Sequence, residues 1–204
     1  MSEFSLRDRI ADRLAAASVQ CDDAVLAGLE SYLGLLAKWN ARINLTALPV
    51  QAPTDAALDK LLVEPLVAAP FFPPTIANWI DLGSGGGSPA LPLRLACRHG
   101  ALSLVESRER KCAFLREAVR VMGLERTTVT NVRFESLHVA SLADVVTIRA
   151  VRIDAEIEAL LGRVLRAGGL LFCFGTPLTS SPFIAANEAE LPDGSRLTVA
   201  TRAA

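Results

Sequence analysis

From Ser5 to about Ala69 the apolar positions recur every three or four residues. Leu6, Ile10 and Leu14 step by four, and Val25, Leu26, Leu29, Leu33, Leu36 and Trp39 form a second stripe. A stripe of that period is the buried face of an amphipathic helix, so the spacing predicts a run of helices and no strand. Pro49 and Pro53 break the run at a linker, because proline has no amide proton to give a helix interior. Asp55 is placed to cap a further helix, and Phe71-Phe72-Pro73-Pro74 closes the region.

After Pro74 the pattern changes to short apolar runs, bounded by Gly, Asp or Arg, that alternate with helical stripes. Strands are predicted at residues 75–80, 102–105, 127–130, 145–148 and 170–174. Helices are predicted at 89–98, at 108–122 with Phe114, Leu115 and Val119 inward, and at 155–166 before Gly168-Gly169. That alternation is the signature of an α/β fold on a parallel sheet with helices on both faces. Residues 184–191 and 196–201, around Pro192-Asp193-Gly194, read as a closing hairpin, with a short helix before the last strand as the alternative. The expected organisation is an N-terminal helical subdomain, residues 1–74, followed by a sheet domain, residues 75–204.

Composition narrows the class. With 51% hydrophobic and 21% charged residues the chain is neither disordered nor fibrous, and a sheet buried on both faces uses such a content. Cys21, Cys97, Cys112 and Cys173 are scattered, and His99 and His138 are the two histidines, so neither a disulfide framework nor zinc-ligand spacing is present. Reduced thiols and no metal are expected. The longest apolar stretches, such as residues 66–72, fall short of the roughly 18 to 20 residues a membrane span needs. Charges throughout the first turns give no secretory signal, and a cytoplasmic protein is expected. A formal net charge of −1 supplies no global attraction to a polyanion, so any nucleic-acid contact must come from a local patch.

The candidate chemistry sits at strand ends. In WIDLGSGGG, Trp79 to Gly87, an apolar strand ends in Asp81 and runs into Gly83-x-Gly85-x-Gly87 ahead of a helix. Glycines there let the backbone take positive φ and approach a ligand. Ligands of an open parallel sheet bind beyond the carboxyl ends of its strands. Strand two ends in Glu106, suited to accept hydrogen bonds from a ribose diol. Strand three is followed by Arg133-Phe134-Glu135, a wall and polar contacts for a purine. Strand four ends in Arg149, a permanent cation able to fork onto a carboxylate, a phosphate or a guanine edge. Each alone has a plainer reading: a tight connection for the glycines, a helix-start acid, a core ring, a surface ion pair. Four strand ends together favour a nucleoside cleft. Ser88 stands where a dinucleotide loop has its third Gly or Ala, and the Gly-Lys-Ser/Thr of a P-loop is absent. Asp81 would repel a pyrophosphate and attract an ammonium or sulfonium. Adenosine at one end and a cation at the other describes S-adenosylmethionine.

These residues resemble the RsmG (GidB) family, bacterial small-subunit (16S) ribosomal RNA guanine-N7 methyltransferases. Lys38-Trp39-Asn40 with Asn44-Leu45-Thr46 is similar to the family's K-W-N…N-L-T signature, and DLGSGGGSPALPL to its glycine loop. Val105-Glu106, Arg110-Lys111, Phe114-Leu115, Arg133-x-Glu135 and Arg149-Ala150 follow in the family's order. The resemblance implies a Rossmann-like S-adenosylmethionine-dependent methyltransferase sheet behind a helical region, with cofactor contacts at Gly83, Ser88, Phe134, Glu135 and Arg149. Asp81, Gly85, Gly87 and Glu106 join them from the reading of the strand ends. The chain departs from the family at Ser88, where a large apolar residue is usual, at Ala90 for Gly, at Lys60-Leu61 for Arg-His, at Glu64 for Asp, and at Gly175-Thr176 for Lys-Gly. In the signature itself, Trp39 is expected in the core and Asn44 and Thr46 at a helix end.

Guanine N7 carries a free lone pair, so its methylation requires alignment rather than a base. Arg149 is the candidate catalytic residue, positioning cofactor or guanine. The expected partner is small-subunit ribosomal RNA or the subunit, bound by a monomer. RNA contact is expected from Arg94, Arg98, Arg108, Arg110, Lys111, Arg133 and Arg152, the alternative being a solvated mixed-charge face. Rival readings are an NAD-linked oxidoreductase and a nucleotide-binding module without catalysis. Glu106→Ala is expected to weaken cofactor binding and leave folding nearly unaffected.

Overall fold

A computed structural model describes residues 5–178 and 182–203. Helix α1 (Leu6–Ala16) starts at a capping box: Ser5 Oγ accepts from the Asp8 amide at 3.2 Å, and the Asp8 carboxylate accepts from the Ser5 amide at 3.1 Å. It buries Ile10 and Leu14. Helix α2 (Asp23–Asn40), capped by Asp22, buries Val25, Leu29, Tyr32, Leu33, Leu35 and Leu36. The next stretch starts as α3 (Asp55–Leu58), widens into a π turn (Asp59–Val63) and resumes as α4 (Glu64–Val67). Its cap is Thr54 rather than Asp55. Asp55 is spent on Arg9 at 2.6 Å, and a Thr hydroxyl in extended backbone satisfies the same orphan amide. A bidentate pair from Arg13 to Asp59, at 2.8 and 2.6 Å, ties α1 to the π turn.

Seven strands form one sheet: β1 (Asn78–Leu82), β2 (Ala101–Glu106), β3 (Thr127–Asn131), β4 (Ala143–Arg149), β5 (Leu165–Phe174), β6 (Phe183–Glu190) and β7 (Arg196–Arg202). Their order is β3-β2-β1-β4-β5-β7-β6; the first five are parallel, and β7 alone runs the other way, pairing antiparallel with both β5 and β6. The predicted hairpin is therefore present, and its second strand lies inside, against β5. The strand order reverses between β1 and β4, which opens a crevice at their carboxyl ends.

Helices α5 (Ala90–Ala96), α6 (Glu109–Val121) and α7 (Ala155–Val164) complete the layers. Successive strand residues face opposite sides. Trp79, Val145 and Phe172 join the core formed with α1, α2, α5 and α6, while Ile80, Val146 and Leu171 join the core under α7. The first core runs from Ile10 to Val199 and so crosses the expected boundary at Pro74.

Several element boundaries differ from expectation, most of all at β1 and at the junction of α7 with β5. Strand β1 starts at Asn78, not residue 75, because the Asp144 carboxylate takes the amide protons of Ala77 and Asn78 at 2.7 and 3.0 Å. Helix α7 stops at Val164, and the next residue, Leu165, already pairs with Ala143. The register then jumps to Val145 opposite Leu170, so Gly168 (φ +70°) and Gly169 belong to a bulge in β5 rather than to a helix stop.

Candidate active site

The glycine loop is fixed from both sides. The amides of Gly83 and Ser84 donate to the Val105 carbonyl at 2.9 and 3.0 Å, folding the loop across the end of β2. Gly87 has φ +90°, a conformation strained for any other residue, and a Cβ there would press on the Leu91 side chain at 2.4 Å. From α2, the Tyr32 hydroxyl donates to the Gly86 carbonyl at 2.7 Å. Burial pushes the Tyr32 phenol up, so this donor stays protonated. The turn after α2 covers the loop's outer side, with the Leu45 carbonyl 3.2 Å from where a Gly86 Cβ would lie. That turn is built by Asn40, whose Oδ1 accepts from the Leu45 and Thr46 amides and whose Nδ2 donates to the Thr46 carbonyl. Asn40, rather than Asn44, therefore closes the helix end. Trp39 packs edge-on against Phe114 at 6.0 Å and donates to Glu117.

The inner side faces the crevice. Asp81 is 1% exposed; its Oδ1 accepts the Thr147 hydroxyl at 2.5 Å, and its Oδ2 has no partner. Burial pushes this carboxyl up to about 6, against the pull of the Thr147 hydrogen bond. Glu106 is also buried: Oε2 accepts from the Gly85 amide at 3.0 Å and Oε1 from the Arg108 amide at 2.8 Å. It therefore braces loop and helix as well as facing the cleft. Removing the carboxylate would take both bonds away, so Glu106→Ala is now expected to lower stability, by about 1 to 2 kcal/mol, as well as cofactor binding. Phe134, on a single 3-10 turn (Phe134–Ser136), brings its ring to 3.5 Å from where a Gly83 Cβ would lie, with Val151 at 3.3 Å. The Glu135 side chain lies outside the described residues. Gly83 (φ +75°) and Gly85 (φ +51°) complete the cradle.

Arg149, the last residue of β4, is held on several sides. Nη1 donates to the Lys60 carbonyl at 2.6 Å and to Ser88 Oγ at 3.0 Å, Nη2 donates to Glu64 Oε2 at 2.9 Å, and the guanidinium lies 4.8 Å from the Phe174 ring centre. Ser88 in turn donates to the Leu61 carbonyl. Tyr32, Thr147 and Glu64 escaped the sequence reading as parts of this site. The available signals were a lone hydroxyl within Val145-Val146-Thr147-Ile148 and a lone acid within Leu61-Leu62-Val63-Glu64.

Of the cations expected at the cleft rim, Arg94 and Arg98 are misplaced. Arg94 is 3% exposed and donates to the carbonyls of Cys97, His99, Gly100 and Glu125, at the amino ends of β2 and β3. Arg98 is exposed at that same end. A groove of about 560 Å³ between α2, α5 and α6 lies there too. None of the unpartnered buried side-chain atoms among the described residues belongs to a residue lining it, so the crevice at the carboxyl ends is the better candidate. Lys111 comes within 3.9 Å of a Cβ position at Gly85, while Arg108, Arg110, Arg133 and Arg152 are exposed and join no ion pair among the described residues.

Residues 25–177 match the family described as GidB, rRNA small subunit methyltransferase G. The chain belongs to this family. A ribosomal RNA small subunit methyltransferase G from Stenotrophomonas maltophilia is 39% identical over 175 residues, 84% of this chain and 79% of the relative. The same enzyme from Dichelobacter nodosus is 41% identical over 152 residues, 73% and 69% of the two chains. Among solved structures, a putative O-methyltransferase from Klebsiella pneumoniae matches with a TM-score of 0.61 at 16% identity, covering 95% of this chain and 96% of that one. An RNA methyltransferase from Salinibacter ruber, solved with S-adenosylhomocysteine, matches with a TM-score of 0.53 at 17% identity, over 62% and 81%. The fold is thus the Rossmann-like methyltransferase sheet. A member of the rRNA small subunit methyltransferase G family is an S-adenosylmethionine-dependent enzyme, and the crevice is where its chemistry has to be sought.

Proposed function

We propose that this chain methylates N7 of a guanine in small-subunit ribosomal RNA at the crevice between the glycine loop and the end of β4. The observation that carries the reading is the buried Asp81 carboxylate with one unpartnered oxygen beneath the glycine loop. A buried anion lacking a partner is costly, and a cationic ligand group relieves it. The donor set suits S-adenosylmethionine: Asp81 toward the cation, Glu106 with lone pairs to spare for ribose hydroxyls, and Phe134 beside Gly83 as a wall for the adenine. The expected Glu135 contact stands with them as part of the proposal. When bound, this cofactor supplies a methyl group on a positively charged sulfur, which a free lone pair accepts without activation.

The chain's own residues hold and orient. Arg149 is fixed within the crevice, and Ser88, next to the loop, shares its Nη1. A fixed guanidinium suits a guanine edge or a carboxylate better than a mobile ammonium would. Alignment of this kind is worth roughly 7 to 11 kcal/mol of barrier without any base. Lys111, Arg108, Arg110, Arg133 and Arg152 supply cations for the RNA backbone, giving affinity that falls with salt. The test is to map N7-methylguanine in small-subunit RNA from cells with and without the gene. Loss of one such modification on deletion is expected; an unchanged map sinks the reading.

A further inference from the structure

We propose that Glu64 is a positioning residue, which holds Arg149 in the plane that the cofactor cleft requires. Glu64 is the first residue of α4, has a side chain 0% exposed, and lies 85 positions before its partner. Its Oε2 takes the Nη2 proton of Arg149 at 2.9 Å and also lies 3.3 Å from Lys60 Nζ. Lys60 closes the arrangement twice over. Its carbonyl accepts from Arg149 Nη1, and its Nζ meets Asp193 at 2.6 Å in the turn between β6 and β7.

The guanidinium is thereby gripped by both terminal nitrogens, from the π turn and from α4. Its Nε is left without a partner, in a side chain 13% exposed. A planar group fixed at one edge presents its remaining edge and face in a single orientation. The same guanidinium reaches Ser88, so the orientation Glu64 imposes is passed to the end of the glycine loop. The helical N-terminal region thus sets the geometry of a strand-end cation, which explains why a buried carboxylate interrupts an otherwise apolar stretch.

The inference rests on the methyltransferase reading, because it takes the cleft beside Arg149 to be the cofactor cleft. The test is a double-mutant cycle on S-adenosylhomocysteine binding, read by calorimetry, with melting of the ligand-free proteins recorded in parallel. Glu64→Gln, nearly the same shape without the charge, is expected to fold and to bind at least tenfold more weakly, the size of one charge-assisted hydrogen bond. Arg149→Gln is expected to lose at least as much, and the double variant no more than Arg149→Gln alone. Losses that multiply in the double variant, or parental affinity in Glu64→Gln, overturn the inference while leaving the methyltransferase reading intact. A parent protein that does not bind S-adenosylhomocysteine removes that reading and this inference together. If Glu64→Gln melts too low to be titrated, Glu64→Asp takes its place; its shorter reach is expected to give an intermediate loss, and parental affinity in it also overturns the inference.

Discussion

Two arginines, one buried and one nearly so, stand at opposite ends of the parallel part of the sheet. At the amino end, Arg94 spends both terminal nitrogens on four backbone carbonyls and leaves no buried atom unpartnered. At the carboxyl end, Arg149 keeps an unpartnered Nε beside two carboxylates, Glu64 and Asp81, that each keep an unpartnered oxygen. Both carry a permanent charge and expose little side-chain surface, yet the buried polar atoms of the first are satisfied by the fold and those of the second are not. Hydrogen-bond satisfaction therefore separates a structural cation from one held in readiness, where burial alone does not.

The contrast is sharpest under substitution. Arg94→Met is expected to cost about 3 kcal/mol of stability or more in urea unfolding, because the carbonyls it serves lose their donors. Its folded fraction is expected to bind S-adenosylhomocysteine as the parent does. Reduced affinity in that folded fraction would break the division between the two ends. Glu106→Ala tests the carboxyl end itself, with an expected loss of roughly 1.5 to 3 kcal/mol in cofactor binding and about 1 to 2 kcal/mol in stability. Normal binding would reduce Glu106 to a brace for Gly85 and Arg108.

Asp81 gives the comparison a pH signature. Its carboxyl is pushed up from 3.8 to about 6, so between those values the folded state holds the proton more tightly than the unfolded chain does. This group's contribution therefore falls as pH rises from about 4 to 6, and its full cost stands above 6. Relative to the parent, Asp81→Asn is expected to gain stability across that window by an amount on the order of 3 kcal/mol, and then to run parallel. A cationic ligand favours the ionised carboxylate, so cofactor affinity of the parent is expected to weaken as pH drops below 6, and that of Asp81→Asn to stay flat. Parallel profiles throughout would mean the carboxylate is not strained. The smallest effect is expected at Lys111→Ala: weaker RNA binding at low salt, with a salt slope reduced by about 1. An unaltered slope would take Lys111 out of the RNA contact.

Much of the fold could be read from hydrophobic period, because a helix stripe and a strand run are local patterns. The start of β5 could not: Leu165 continues the apolar stripe of α7, and Gly168-Gly169 imitates a helix stop. In the site, Asp81, the glycine loop and Glu106 were legible, since each lies within a few residues of a strand end. Tyr32 with Gly86, Thr147 with Asp81, and Glu64 with Arg149 were not, because those contacts join residues 54, 66 and 85 positions apart. Arg94 was misassigned for a geometric reason. Helix α5 leaves the glycine loop and carries the chain about 10 Å toward the other end of the sheet at 1.5 Å per residue, so a cation in its second half belongs to the amino end.

The most direct test of the central claim, that ligand chemistry belongs to the carboxyl end, is amide hydrogen exchange across the chain with and without saturating S-adenosylhomocysteine. Slowed exchange is expected in residues 81–88, 106–108 and 149–151, with no change in residues 94–100 and 122–126. Protection at the second set with none at the first would move the site to the groove beside Arg94 and contradict the account.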